Sequence, residues 1–235
     1  ALWQCLRFED PATVARLILT ASGGPFRALP LVQFAQITVA DALRHPTWAM
    51  GPKITIDSAT MMNKGLEIIE AHHLFDVPYA QIEVVIHPTS VVHSLVEFID
   101  GATMAQLGRP DMRLPIALAL SGGTRLAGVH TAAPLTEAPL DLHFEPVDAR
   151  RFPAPALARH AGVVGGAAPC VLNAANEAVV ARFLAGGCHF TEIVPLVSAT
   201  LEHAELPAAP SLEDLIELDG WARRDAAARA TVGVR

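Results

Sequence analysis

Hydrophobic and polar positions along this chain follow two different periods, and the change between them divides it. In the first half the apolar residues run continuously or alternate. LILTA (17–21), IEVVIH (82–87), VVHSLVEFI (91–99) and ATMAQL (102–107) read as strands, and Asp100-Gly101 is a hairpin turn signal between the last two. A helix is expected over Pro11 to Arg16, ahead of the first strand. Ile54 and Ile56 read as the apolar end of a further strand. Asp57-Ser58 would then cap a helix beginning near Ala59, with Met62, Leu66 and Ile69 as its buried stripe. Thr38 and Asp41 have capping-box spacing and predict a short helix between Arg27 and Lys53.

From Phe152 onward the period is helical. Pro155 to His160, Cys170 to Leu184, Thr191 to His203 and Ser211 to Arg229 are the expected helices. Thr191 and Ser211 are candidate N-caps, Ser211 stands at capping-box spacing from Asp214, and Gly186-Gly187 would end the second helix. Residues 121–150 show little periodicity and are rich in Gly, Pro, Thr and Ala. They read as a linker, with one short strand around Leu140 to Phe144. The predicted architecture is an α/β (α+β) domain with a mixed sheet over 1–120, then the linker, then a C-terminal four-helix bundle over 151–235.

Composition narrows the classes. With 51% hydrophobic and 17% charged residues among 235, the chain can bury a sizeable core. A net charge of −7 argues against a general nucleic-acid binder but leaves room for a locally positive pocket. Cys5, Cys170 and Cys188 are odd in number and far apart, which suits reduced thiols and a cytoplasmic setting better than a disulfide framework. No apolar run reaches the length of a membrane span, so no membrane partner is expected. No signal peptide is visible, although a first residue of Ala1 leaves open a start further upstream.

The candidate chemistry sits in TIDSATMMNKGLEIIE (55–70). Asn63 and Glu67 are four residues apart and Lys64 and Glu67 three, so all three occupy neighbouring positions on one helix face. Ser58 at a helix start would offer an anion seat. Lys64 would add a point charge for a phosphate, and Glu67 a hard oxygen for Mg²⁺ or Mn²⁺. The chain has only two lysines, Lys53 and Lys64, and both fall in or beside this stretch. The same spacing suits an ordinary solvated helix face, and both readings stand on spacing alone. Ser22-Gly23-Gly24-Pro25 suits either a phosphate-binding turn or a plain one. HPTWAMGPK (45–53) has the composition of a structured loop or lid within 22–53. His87 and His93 are candidates for buried, hydrogen-bonded histidines, with His93 the better candidate for a place near a site.

SATMMNKGLE closely resembles the substrate-binding segment of the 1-deoxy-D-xylulose 5-phosphate reductoisomerase family. ASGGPFR, the HP-x-W-x-M-G loop, HPTSVVHS, PDMRLPI and LNAANE resemble further blocks of that family in the same order. The resemblance implies metal-dependent rearrangement of a phosphorylated sugar followed by reduction with NADPH, in isoprenoid biosynthesis by the non-mevalonate route. It implies substrate binding by Ser22, His45, Trp48, Ser58, Asn63 and Lys64, with Trp48 in a lid. Catalysis would fall on Glu67 and Lys64, and metal binding on Glu67. Gly51 and Met112 would face the NADPH, and a homodimer is implied. Asn173, Asn176 and Glu177 read as structural, fixing helix packing by hydrogen bonds. The family's Gly-rich dinucleotide fingerprint and its Asp-Ser-Glu-His metal motif would precede Ala1. The chain therefore reads as the catalytic and C-terminal portions of a longer enzyme, inactive when isolated. A phosphate-binding or dimerisation homologue without the cofactor domain is the alternative.

Overall fold

The structure is a computed structural model, and it describes residues 1–46, 49–129 and 139–229. In chain order the first elements are α1 (Leu2–Leu6), β1 (Val14–Ala21), α2 (Val39–Ala42), α3 (Pro52–Thr60) and α4 (Met62–Phe75). There follow β2 (Ile82–Ile86), β3 (Val92–Phe98), β4 (Thr103–Leu107), α5 (Arg113–Leu120) and β5 (Glu145–Pro146). The last four are α6 (Ala154–Val164), α7 (Ala168–Leu184), α8 (Ile193–His203) and α9 (Leu212–Ala228). They form two units, each made from two separate stretches of chain. One comprises Ala1–Ser22 and Ala80–Val147, the other Gly23–Tyr79 and Asp148–Arg235. These units cut across a sequential division at 120 and 150.

The first unit is built on a mixed sheet of order β4-β3-β1-β2-β5. β1 pairs parallel to β2 (Leu17 opposite Ile82) and antiparallel to β3 (Leu17 opposite Val96). Alternate burial along β3 shows one face packed and the other partly open, as period two demands. The β3–β4 hairpin turns at Asp100-Gly101, where Gly101 has φ +86°. Thr20 donates its hydroxyl to the Val92 carbonyl at 2.8 Å and so pairs one polar group of the buried strand.

The second unit packs α3 and α4 with a bundle of α6, α7, α8 and α9 around one apolar core. α7 is buried nearly all round, as a central helix must be. Its Ala168, Ala174 and Ala175, with Ala158 of α6 and Ala222 and Ala226 of α9, are fully buried small residues that let helix axes approach. Phe26, Phe34, Phe183 and Phe190 close one end of the core through tilted and edge-on contacts, the tightest being Phe26–Phe190 at 5.0 Å. Capping boxes at Thr38/Asp41 and Ser211/Asp214 start α2 and α9 as their spacing predicts.

Five local expectations are corrected. Pro11–Thr13 is a single 3-10 turn, and Val14 already belongs to β1. The short strand of the linker is Glu145–Pro146 on the edge of β2, instead of Leu140 to Phe144. The cap before α8 is His189, whose partner Glu192 completes a capping box, instead of Thr191. Ile54 and Ile56 are helical, inside α3, whose N-cap is Gly51 and whose first residue is Pro52. Proline at that position has no N–H to leave unsatisfied, and its fixed φ suits a helix start. Asp57 and Ser58 therefore lie in the second half of α3 and cap nothing. The helix that carries Lys64 begins after Met61, a buried residue at φ +61° that separates α3 from α4.

Candidate functional site

The Asn63, Lys64 and Glu67 side chains meet on one face of α4. Asn63 donates its amide to one Glu67 carboxylate oxygen at 2.7 Å, and Lys64 reaches the other at 2.5 Å. The Lys64 side chain is 12% exposed and that of Glu67 32%, so this is no freely solvated surface pair. The opposite face supplies the reason: Met62 and Ile69 are buried and Leu66 packs on the core, which fixes the rotation of the helix. Glu70 stands one turn beyond. Loss of surrounding water and then the Glu67 charge push its carboxyl up, with Lys64 pulling the other way.

Ser58 is half-buried on α3, and its carbonyl oxygen accepts from Met61 N–H at 3.2 Å. The Gly23-Gly24 turn lies against this part of the helix. A Cβ on Gly24 (φ +61°) would stand 2.8 Å from the Ser58 carbonyl oxygen, so the turn requires glycine for both conformation and space. His45 and Gly51 line one open cavity of about 820 Å³ with Leu43, Arg44, Ala49, Met50 and Thr55. Burial lowers the His45 pKa and favours the neutral ring. Ser22 and Met112 belong to the sheet-containing unit. Ser22 directly follows β1, and Met112 is 58% exposed as the N-cap of α5. Trp48 lies outside the described residues.

Residues 1–75 match the family described as the 1-deoxy-D-xylulose 5-phosphate reductoisomerase C-terminal domain, and residues 107–225 match the DXP reductoisomerase C-terminal domain. A 1-deoxy-D-xylulose 5-phosphate reductoisomerase of Thermomicrobium roseum is 53% identical over 99% of this chain and 60% of its own length. The chain belongs to the 1-deoxy-D-xylulose 5-phosphate reductoisomerase family.

Another reductoisomerase, from Kitasatospora griseola, is 52% identical over 95% of the chain and 58% of its own length. Among solved structures, the Zymomonas mobilis reductoisomerase in complex with NADPH superposes with a TM-score of 0.89 at 46% identity, over 97% of this chain and 59% of that one. A reductoisomerase in complex with NADPH, fosmidomycin and magnesium superposes with a TM-score of 0.87 at 41% identity, over 97% of this chain and 59% of that one. The chain thus spans about 60% of the length of the reductoisomerases it matches.

A buried polar cluster beside Ser58 has no signature in the sequence as a cluster. Asp57 is 1% exposed. One of its oxygens takes Lys53 Nζ at 2.7 Å, and the other accepts from the Asn176 side-chain amide of α7 at 2.8 Å. The Gly51-Pro52 start and the four-residue Lys53–Asp57 spacing are the local signals that could have identified it. The pairing with Asn176 is a long-range contact and leaves no local trace. His87, fully buried, bonds through its ring nitrogens to the His143 carbonyl at 2.8 Å and the Thr89 hydroxyl at 3.1 Å, and stacks on Phe144. Burial lowers the pKa of His93, on β3.

Proposed function

We propose that this chain carries the sugar-phosphate-binding part of a 1-deoxy-D-xylulose 5-phosphate reductoisomerase, which forms 2-C-methyl-D-erythritol 4-phosphate. The observation that carries the reading is the Asn63–Lys64–Glu67 cluster: an ammonium group largely withdrawn from water, beside an amide donor, on a helix whose other face is locked into a core. A partly desolvated cation of this kind attracts a phosphate far more strongly than a solvated one. Ser22, Ser58, Asn63 and Lys64 would hold the phosphate, with His45 assisting and Trp48 covering the substrate. Because the phosphate is remote from the reacting carbons, its binding energy can orient them and close the lid.

The family and its solved members support NADPH and magnesium as the cofactors. Manganese satisfies the same oxygen donors. Glu67 would be a metal ligand and Gly51 and Met112 would flank the nicotinamide. The described residues do not by themselves make these sites. Both Glu67 oxygens are engaged by Asn63 and Lys64. Among the described residues no three His, Cys, Asp or Glu side chains converge as a metal site. Magnesium takes near-octahedral oxygen coordination, and one carboxylate falls short of it. What these residues can supply is placement. Lys64 and Glu67 would act by holding and orienting substrate, Lys64 exchanging its bond to Glu67 for one to phosphate.

That donor shortage specifically favours the second reading, a phosphate-binding or dimerisation homologue without catalysis. The two separate in one experiment: NADPH oxidation by this chain with 1-deoxy-D-xylulose 5-phosphate and Mg²⁺, with tryptophan fluorescence reporting binding. Binding of the sugar phosphate without turnover, weakened about 10- to 100-fold in Lys64→Ala, supports the sugar-phosphate-binding part proposed here. Turnover by this chain alone would overturn the reading that further donors are needed for the metal and NADPH sites. Absence of both supports the dimerisation homologue instead. A homodimer is also proposed; β4 is an edge strand with Thr103, Met104 and Ala105 exposed.

A further inference from the structure

From the buried Asp57–Asn176 contact we infer that these two side chains are positioning residues for the sugar-phosphate site, tethering α3 to the C-terminal bundle. This inference rests on the functional reading above. α3 has Gly51 of the cavity wall at its start, Ser58 in its second half and the Met61 reversal at its end, so its rotation and height set where all three stand. Its buried carboxylate is held from both sides, by Lys53 of the same helix and by Asn176 of α7.

Asn176 is itself 0% exposed and stands on a braced part of α7. One position on, Glu177 accepts from the Asn173 amide at 3.2 Å and pairs with Arg223 of α9 at 2.8 Å. Arg223 is fixed in turn by two bonds to Asp219 at 2.7 and 3.0 Å. Burial works against the Glu177 charge, yet the hydrogen bond and charge of Arg223 hold its carboxyl below the ordinary range. Apolar packing alone would let α3 slide or rotate between similar core contacts, whereas a charge-assisted hydrogen bond in a buried setting has one geometry. The Asn176 carbonyl oxygen has no hydrogen-bond partner in this setting.

The test is binding of 1-deoxy-D-xylulose 5-phosphate to the whole chain by calorimetry, with thermal melting and amide exchange on each variant. Asn176→Leu removes the bond between the helices and leaves the Lys53–Asp57 pair in place. Asp57→Ala removes both. Asp57→Asn keeps an oxygen to accept from the Asn176 amide, and loses the charge and with it the ion pair to Lys53. Asn176→Leu and Asp57→Ala are expected to weaken binding about tenfold or more, the size of a lost charge-assisted bond. Amide exchange over 52–60 should quicken while α8 is unchanged. Asp57→Asn is expected to stay within about threefold of the parent, since the cross-helix bond remains. Parent-like binding by Asn176→Leu overturns the positioning role, as does equal loss in Asp57→Asn and Asp57→Ala. A parent chain that does not bind the sugar phosphate at all overturns the functional reading and the positioning role with it.

Discussion

At the scale of single residues, the site is governed by how far each ionisable group is withdrawn from water. His45 and His93 both have folded-state pKa values lowered by burial. The unfolded chain therefore takes up their protons first, below the ordinary histidine value of about 6.5. In the window from that value down to the depressed folded ones, the unfolded state binds more protons and stability falls with pH; below it the contribution is flat. Urea midpoints measured from about pH 7 to pH 5 should decline. His45→Gln or His93→Gln should each flatten that decline. A midpoint independent of pH across the window would contradict both assignments. Lys64 and Glu67 are legible at this scale because their spacing alone places them on one face. Asp57 reads as a cap because an acidic residue before Ser58 has the same local appearance in either role.

At the scale of elements, close approach decides more than propensity. Gly65 of α4 faces α6, where an added Cβ would stand 2.6 Å from Ala158 Cβ and 3.2 Å from the Ala154 carbonyl oxygen. Gly65→Ala gains about 1 kcal/mol of helix propensity. It also forces apart two helices whose contact atoms cannot rotate away, an overpacking cost of about 1–3 kcal/mol. The second effect should win, and denaturant unfolding should show a less stable protein; a gain in stability would mean that α6 yields. Asp76 ends α4 at φ +54° on the exposed surface. Glycine adopts that conformation without strain, so Asp76→Gly should stabilise by up to about 1 kcal/mol in the same assay. Met61 shares the conformation at φ +61° but is 2% exposed. There the lost apolar contact, about 2–5 kcal/mol on truncation, outweighs the relieved strain, and Met61→Gly should destabilise.

At the scale of the molecule, a chain of net charge −7 gathers its two lysines around α3 and α4. An acidic protein can hold an anionic substrate this way, because a local cation shielded from solvent is screened less than the surface charge around it. The proposed homodimer has its own measurement. Ala105→Pro on the exposed edge strand β4 removes a backbone donor, and Met104→Lys adds a charge to it. Either should lower the apparent mass in sedimentation if that edge carries the interface, and an unchanged mass would place the interface elsewhere. Among the described residues no helix is long and apolar enough to cross a membrane.

The sequence by itself determined what depends on near neighbours. The β3–β4 hairpin, the four C-terminal helices, the capping boxes at Thr38 and Ser211 and the shared face of Asn63, Lys64 and Glu67 all follow from periodicity or from spacings of two to four residues. Such patterns are fixed by backbone geometry whatever lies beyond them. Tertiary structure alone decided the parallel pairing of β1 with β2, the pairing of Asp57 with Asn176 and the grouping of separate stretches into two units. Each of these is set by groups far apart in the chain. A buried carboxylate such as Asp57 must find donors wherever the fold supplies them, and here the second donor comes from a helix more than a hundred residues away.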